Sequence, residues 1–164
     1  MDNRYILDHE RYAALARRAA AEGCVLLKNE KQALPLKEGE SVSVFGRIQF
    51  DYYKSGTGSG GLVNTRYVVG ILDALKEETL ILNQKVEDTY RKWIENHPFD
   101  SGTGWAQEPW SQEEMPLTDE LVKEAAARSD AAVVIIGRTA GEDQDACAEK
   151  GRYLLTDLEE EMLE

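Results

Sequence analysis

Apolar positions along the chain switch repeatedly between helical and extended spacing. Tyr12, Leu15, Ala16, Ala19 and Gly23 fall at i, i+3, i+4, i+7 and i+11, one face of a helix. Asp8 is placed to cap that helix, Glu10 suits its first turn, and Gly23 can end it in the left-handed conformation. Residues 24–28 form a short apolar run expected to be extended, and 29–37 read as turns around Pro35. Residues 41–46 have the β-branched content of a strand, and a long loop follows over 47–64. A helix is expected over 66–76 with Val69, Leu72 and Leu75 inward. A short strand over 79–82 and a helix over 86–96, with Val86, Tyr90, Trp93 and Ile94 at helical spacing, come next.

Residues 97–117 lose this periodicity. They hold Pro98, Pro109, Pro116, Gly102 and Gly104, yet also Phe99, Trp105 and Trp110, so an ordered excursion is expected rather than a disordered linker. Thr118 caps the next helix, with Leu121, Val122 and Ala125 on its apolar side and Ser129–Asp130 closing it. Residues 131–137 are the clearest strand and are apolar on both faces, which suits the buried centre of a parallel sheet. A polar loop over 138–152 leads to Thr156, the cap of a last helix carrying Leu158 and Met162.

Strands alternating with helices predict an α/β fold, a three-layer αβα sandwich with a mainly parallel sheet. Residues 1–164 are expected to form a single domain whose last helix is cut at Glu164, leaving the sandwich incomplete at its C-terminal end. An incomplete sheet exposes an edge and an apolar face, a route to homo-oligomers. In such sheets the functional crevice lies beyond the carboxyl ends of the strands. Two loops qualify by position: the glycine-rich stretch 55–61 and the acidic stretch 137–145.

Composition narrows the function. The 164 residues are 42% hydrophobic and 30% charged, enough for a real core. Nineteen Lys and Arg against 31 Asp and Glu give a net charge of −12, which argues against nucleic-acid binding and against adhesion to anionic lipid. The longest apolar run, 131–136, is far below a membrane span, so no membrane partner is expected. The first residues, Met1-Asp2-Asn3-Arg4, lack a signal pattern, from which a cytoplasmic location is expected. Two cysteines and two histidines are too few for a disulfide scaffold or a structural zinc site, and no metal or cofactor is called for. Cys24 is expected to be buried and His97 to be a surface turn residue.

The candidate chemistry lies in the two loops and the excursion. Gly56-x-Gly58-x-x-Gly61 matches the dinucleotide fingerprint in letters, but residues 47–55 intervene between the strand and its first glycine. A loop that passes close to another backbone, or that lines a polar ligand site, also needs such glycines. Glu142, Asp143 and Asp145 crowd together after the best strand. Crowding raises a carboxyl toward the range of a general acid, while solvated loop charge is the plain alternative. Trp105 and Trp110 could stack on a sugar or a base, or simply pin the excursion. No Gly-x-Ser-x-Gly elbow, Walker loop or Cys-x-x-Cys is present.

Taken together, three segments resemble the α/β sandwich domain of glycoside hydrolase family 3. They are AAAEGCVLLKNE with ALPL (19–30 and 33–36), the SGTGSG loop (55–60), and VVIIG followed by RTAGED (133–143). The resemblance implies a retaining β-glycosidase, most simply a β-glucosidase acting on terminal β-D-glucosyl residues of a β-glucoside or oligosaccharide. It implies an aspartate nucleophile in a (β/α)8 barrel absent from this chain, and a general acid/base on the sandwich domain at Glu142. Asp143 stands where glycine is commoner, and Ala146 where arginine is often seen. The early position of the motifs resembles the reversed-order branch, in which the sandwich leads and the barrel follows. Ser55, Gly56, Trp105 and Trp110 would then wall the leaving-group side of the sugar pocket, and these 164 residues alone would hydrolyse nothing. The alternative from another class is a non-catalytic carbohydrate- or nucleotide-binding module.

Overall fold

The computed structural model describes residues 6–53, 57–141 and 144–164. The chain divides into two compact units, Met1–Leu36 and Lys37–Glu164.

In the first unit, helix α1 spans His9–Gly23, and Asp8 caps it by accepting from the Arg11 N–H at 3.1 Å. Gly23 stays helical. The chain leaves the helix instead at Cys24, which is extended (φ −70°, ψ 134°) and donates its N–H to the Ala21 carbonyl. The Cys24 thiol donates to the Ala20 carbonyl and is exposed, not buried, because it sits at the helix end rather than inside a strand. Residues 24–28 form no strand. Asn29 closes the following turn by bonding both the carbonyl and the N–H of Leu34 at 2.9 Å, just before a cis Leu34–Pro35 bond.

The second unit contains strand β1 (Ser41–Phe45), helix α2 (Ile71–Glu77), strand β2 (Ile81–Leu82), helices α3 (Gln84–Ile94) and α4 (Asp119–Arg128), strand β3 (Ala131–Val134) and helix α5 (Asp157–Leu163). The sheet order is β2-β1-β3 with both pairs parallel. Register runs from Val42 opposite Ala131 to Phe45 opposite Val134. The centre of this sheet is therefore β1, not β3. β3 has one strand neighbour, and its Ala132 is exposed, although its sequence reads as apolar on both faces.

Alternation along β1 sorts its side chains to two sides. Phe45 packs with Val86 and Tyr90 of α3, Leu121 and Ala125 of α4, and Met115, while Met162 of α5 packs against this cluster. Val42 and Val44 adjoin Leu72 of α2 and Leu82. Helices thus cover both faces, the arrangement of an α/β sandwich. The buried polar exception, Ser43, is satisfied by the Ser129 hydroxyl at 2.7 Å and the Asn83 amide at 2.9 Å.

Caps define the helix starts. Thr118 accepts from the Leu121 N–H, and Thr156 forms a capping box with Glu159. α2 begins only at Ile71, because the Asp73 carboxylate accepts the Gly70 N–H and fixes the first turn there. Residues 66–70, with adjacent β-branched Val68 and Val69, stay irregular. Glu87 of α3 joins α2 through Lys76 (2.6 Å) and also pairs with Arg91 (2.7 Å). Burial pushes the Glu87 carboxyl up, but these two cations outweigh burial and hold it below the usual range. His97 is half-buried rather than a surface residue, stacked on Trp93 with centroids 4.1 Å apart.

Candidate functional site

Beyond their carboxyl ends, β1 and β3 lead into segments that approach closely at two glycines. Gly46 has φ +99°, and a Cβ there would run into the Ile135 carbonyl. The Gly46 N–H donates to the hydroxyl of the buried Tyr90 at 2.9 Å. A Cβ on Gly137 would lie 2.5 Å from Ile48 Cγ1. The two loops that follow therefore leave the sheet edge side by side.

The first loop is moored to the excursion through Arg47, which is 2% exposed. Its guanidinium donates to Gln112 Oε1 (3.2 Å), Asp51 (3.2 Å) and the His97 carbonyl (3.4 Å), and lies over the Phe99 ring. Its backbone N–H donates to both Glu114 oxygens, and the Met115 N–H adds a third bond to that carboxylate. Burial pushes the Glu114 carboxyl above the usual range, and the charge of Glu159 adds to this against the backbone donors. Gln112 exchanges two hydrogen bonds with the backbone of Asp100. Burial, reinforced by Glu114, likewise pushes the Tyr90 hydroxyl up.

Farther out, three sequence-distant segments meet. Thr57, in the glycine-rich loop, donates both its N–H (2.7 Å) and its hydroxyl (3.1 Å) to the Ala140 carbonyl in the acidic loop. The Thr139 N–H donates to the Trp110 carbonyl at 3.0 Å. Gly141 and Gln144 form an isolated antiparallel bridge, and the Gln144 amide donates to the Ala106 carbonyl at 3.0 Å. The base of the acidic loop is tied to α5 by Arg138, whose guanidinium meets Glu159 and the carbonyls of Gly137, Arg152 and Leu154. Lys150 adds contacts to Asp157 and Glu160.

The sequence-derived candidates separate in this frame. Trp105 is 61% exposed, next in sequence to Ala106, to which the acidic loop is bonded. Trp110 is half-buried under the Arg152 guanidinium and anchors Thr139 through its carbonyl. Glu142, Asp143, Ser55 and Gly56 lie outside the described residues. The dinucleotide context is not met: after β1 come two short 3-10 segments, and the first α-helix begins at Ile71, far beyond Gly61. Among the described residues no group of three or more His, Cys, Asp or Glu is placed to hold a metal ion. The sequence set Thr57 and Arg138 within candidate loops but did not point to Gln144, to the Thr57–Ala140 contact or to the Arg138–Glu159 pair. Their contacts span 21 to 83 residues and follow no local pattern.

These features define an α/β sandwich domain with its loops gathered beyond the carboxyl ends of parallel strands. Residues 24–164 match the C-terminal domain of glycosyl hydrolase family 3. The chain is 54% identical over 157 residues to a beta-glucosidase of Ruminococcus albus, covering 96% of this chain and 16% of that protein. It is similar in structure to a beta-glucosidase from Paenibacillus barengoltzii, with a TM-score of 0.91, 53% identity, and 97% of this chain but 17% of that one covered. Beta-glucosidase 3B from Thermotoga neapolitana, in a complex with α-D-glucose, aligns with a TM-score of 0.81 at 33% identity over 95% of this chain and 22% of that one. The chain belongs to glycosyl hydrolase family 3. It spans about a sixth of the length of the first two of these relatives.

Proposed function

We propose that this chain is the sandwich domain of a retaining β-glucosidase and works with a barrel domain of the same polypeptide. In this reading the barrel supplies an aspartate that attacks the anomeric carbon of a terminal β-D-glucosyl residue. Glu142 protonates the departing glycosidic oxygen and then takes a proton from the water that attacks the glycosyl-enzyme. Retention calls for the two carboxyl groups to be about 5–5.5 Å apart, so Glu142 serves a site shared with the barrel. In this reading Trp105, exposed and next in sequence to Ala106, contacts the leaving group, with Ser55 and Gly56 as further pocket residues. No metal or cofactor takes part in this chemistry.

The observation that carries this reading is the double hydrogen bond from Thr57 to the Ala140 carbonyl, two residues before Glu142. It joins the glycine-rich and acidic loops, which the family resemblance assigns to one sugar pocket. In the full-length enzyme, Glu142→Ala is expected to lower kcat/KM for cellobiose far more than for a dinitrophenyl glucoside, whose leaving group needs no proton. Azide is expected to rescue it, giving a glucosyl azide of retained configuration. Unchanged kinetics on cellobiose would remove Glu142 from the mechanism.

A further inference from the structure

Thr57 is buried, and both of its hydrogen-bond donors go to one acceptor, the Ala140 carbonyl. A hydroxyl that only needed a partner would be satisfied by a single bond anywhere in this polar region. Here the N–H and the hydroxyl together fix the position and direction of one peptide plane. The fit continues at the next residue. A Cβ on Gly141 would lie 2.8 Å from the Thr57 hydroxyl and 3.1 Å from the Gln144 Cβ, so Thr57 occupies the space a side chain at 141 would need. The Thr139 N–H also bonds the Trp110 carbonyl and the Gln144 side chain bonds the Ala106 carbonyl, so residues before 142 and after 143 are both tied to the excursion. Every one of these bonds ends on the main chain or on Gln144.

We propose that Thr57 is a positioning residue for the general acid/base, setting the acidic loop through Ala140 and Gly141 so that Glu142 meets the glycosidic oxygen. This rests on the assignment of proton transfer to Glu142. A proton donor misplaced by about 1 Å can cost on the order of 100-fold in rate, while binding of the sugar itself is little affected. The loss of Thr57's hydroxyl therefore acts on the step that needs the proton.

The test uses the full-length enzyme with Thr57→Val, which keeps the N–H and removes the hydroxyl, and Thr57→Ser, which restores it. Cellobiose and a dinitrophenyl glucoside serve as substrates. The valine variant is expected to lose on the order of tenfold in kcat on cellobiose with KM nearly unchanged. It should keep kcat/KM for the activated glucoside, whose first step needs no proton, and shift the basic limb of its pH profile, and the serine variant should recover most of the loss. If the valine variant does not fold, Thr57→Ala is read in the same way. Equal loss of kcat/KM on both substrates, a change confined to KM, or wild-type kinetics on cellobiose would each overturn the proposal. Glu142→Ala is run alongside. If it shows no dependence on the leaving group, the acid/base assignment fails first. If it does and Thr57→Val does not, the positioning role alone fails.

Discussion

The Arg138 guanidinium grips the Glu159 carboxylate as a fork, with Nη1 2.6 Å from Oε1 and Nη2 2.5 Å from Oε2. The pair joins the root of the acidic loop to the first turn of α5, where Glu159 also accepts the Thr156 N–H. Burial pushes the Glu159 carboxyl up, but Arg138 and the Thr156 N–H outweigh it and hold the group below the usual range. Glu159→Gln leaves Arg138 facing a neutral partner and should cost about 3 kcal/mol. The folded-state value is depressed, so the pair's contribution is present above the carboxyl's unfolded value and is lost as pH falls through the folded one. Urea unfolding at pH 7 and pH 3 should therefore show a larger difference between wild type and Glu159→Gln at pH 7 than at pH 3.

Glu114 has the opposite sign. Its folded-state value is raised by burial, so the wild type holds its proton more tightly when folded than when unfolded. Relative to Glu114→Gln, which does not titrate, the wild type should gain stability at pH 4 and lose that advantage as pH rises through the folded value. A stability difference that grew with pH instead would contradict the burial argument.

At Gly46, alanine meets two obstacles: a left-handed φ and the Ile135 carbonyl in the space of its Cβ. Gly46→Ala should destabilise the domain by at least about 2 kcal/mol. Thermal unfolding would show it as a lowered Tm, with the spectroscopic signature of the sheet retained at low temperature.

The two tryptophans should separate experimentally. Trp110→Ala removes a half-buried ring from under Arg152 and should cost about 2 kcal/mol. Trp105→Ala, at an exposed ring, should change stability by no more than about 0.5 kcal/mol. In the full-length enzyme Trp105→Ala should raise KM for cellobiose about fivefold through loss of stacking. Calorimetry and steady-state kinetics on the same two variants would check both halves.

Local signals in the sequence located most elements. Asp8, Thr118 and Thr156 are all caps, because a side-chain oxygen ahead of an apolar period satisfies the same free N–H groups wherever it occurs. Signals that depend on a neighbour were less reliable. Residues 131–137 read as a central strand, but which strand is central depends on partners, and that place belongs to β1 with its two serines. The helix expected from 66 begins at Ile71 because Asp73 chooses its start, which apolar spacing alone does not reveal. Of the candidate site, both loops were legible as glycine-rich and acidic stretches after strands. What joins them was not, because the Thr57–Ala140 contact links residues 83 apart.

The interlock of Thr57 with Gly141 also bears on recombination. With no room for a side chain at 141 while the hydroxyl of residue 57 points there, the two positions are constrained jointly. A chimera that imports the glycine-rich loop from one homologue and the acidic loop from another inherits the steric terms of both parents. Such grafts should succeed when positions 57 and 141 travel together, and should fail at this contact when a bulkier residue at 141 arrives opposite an unchanged threonine.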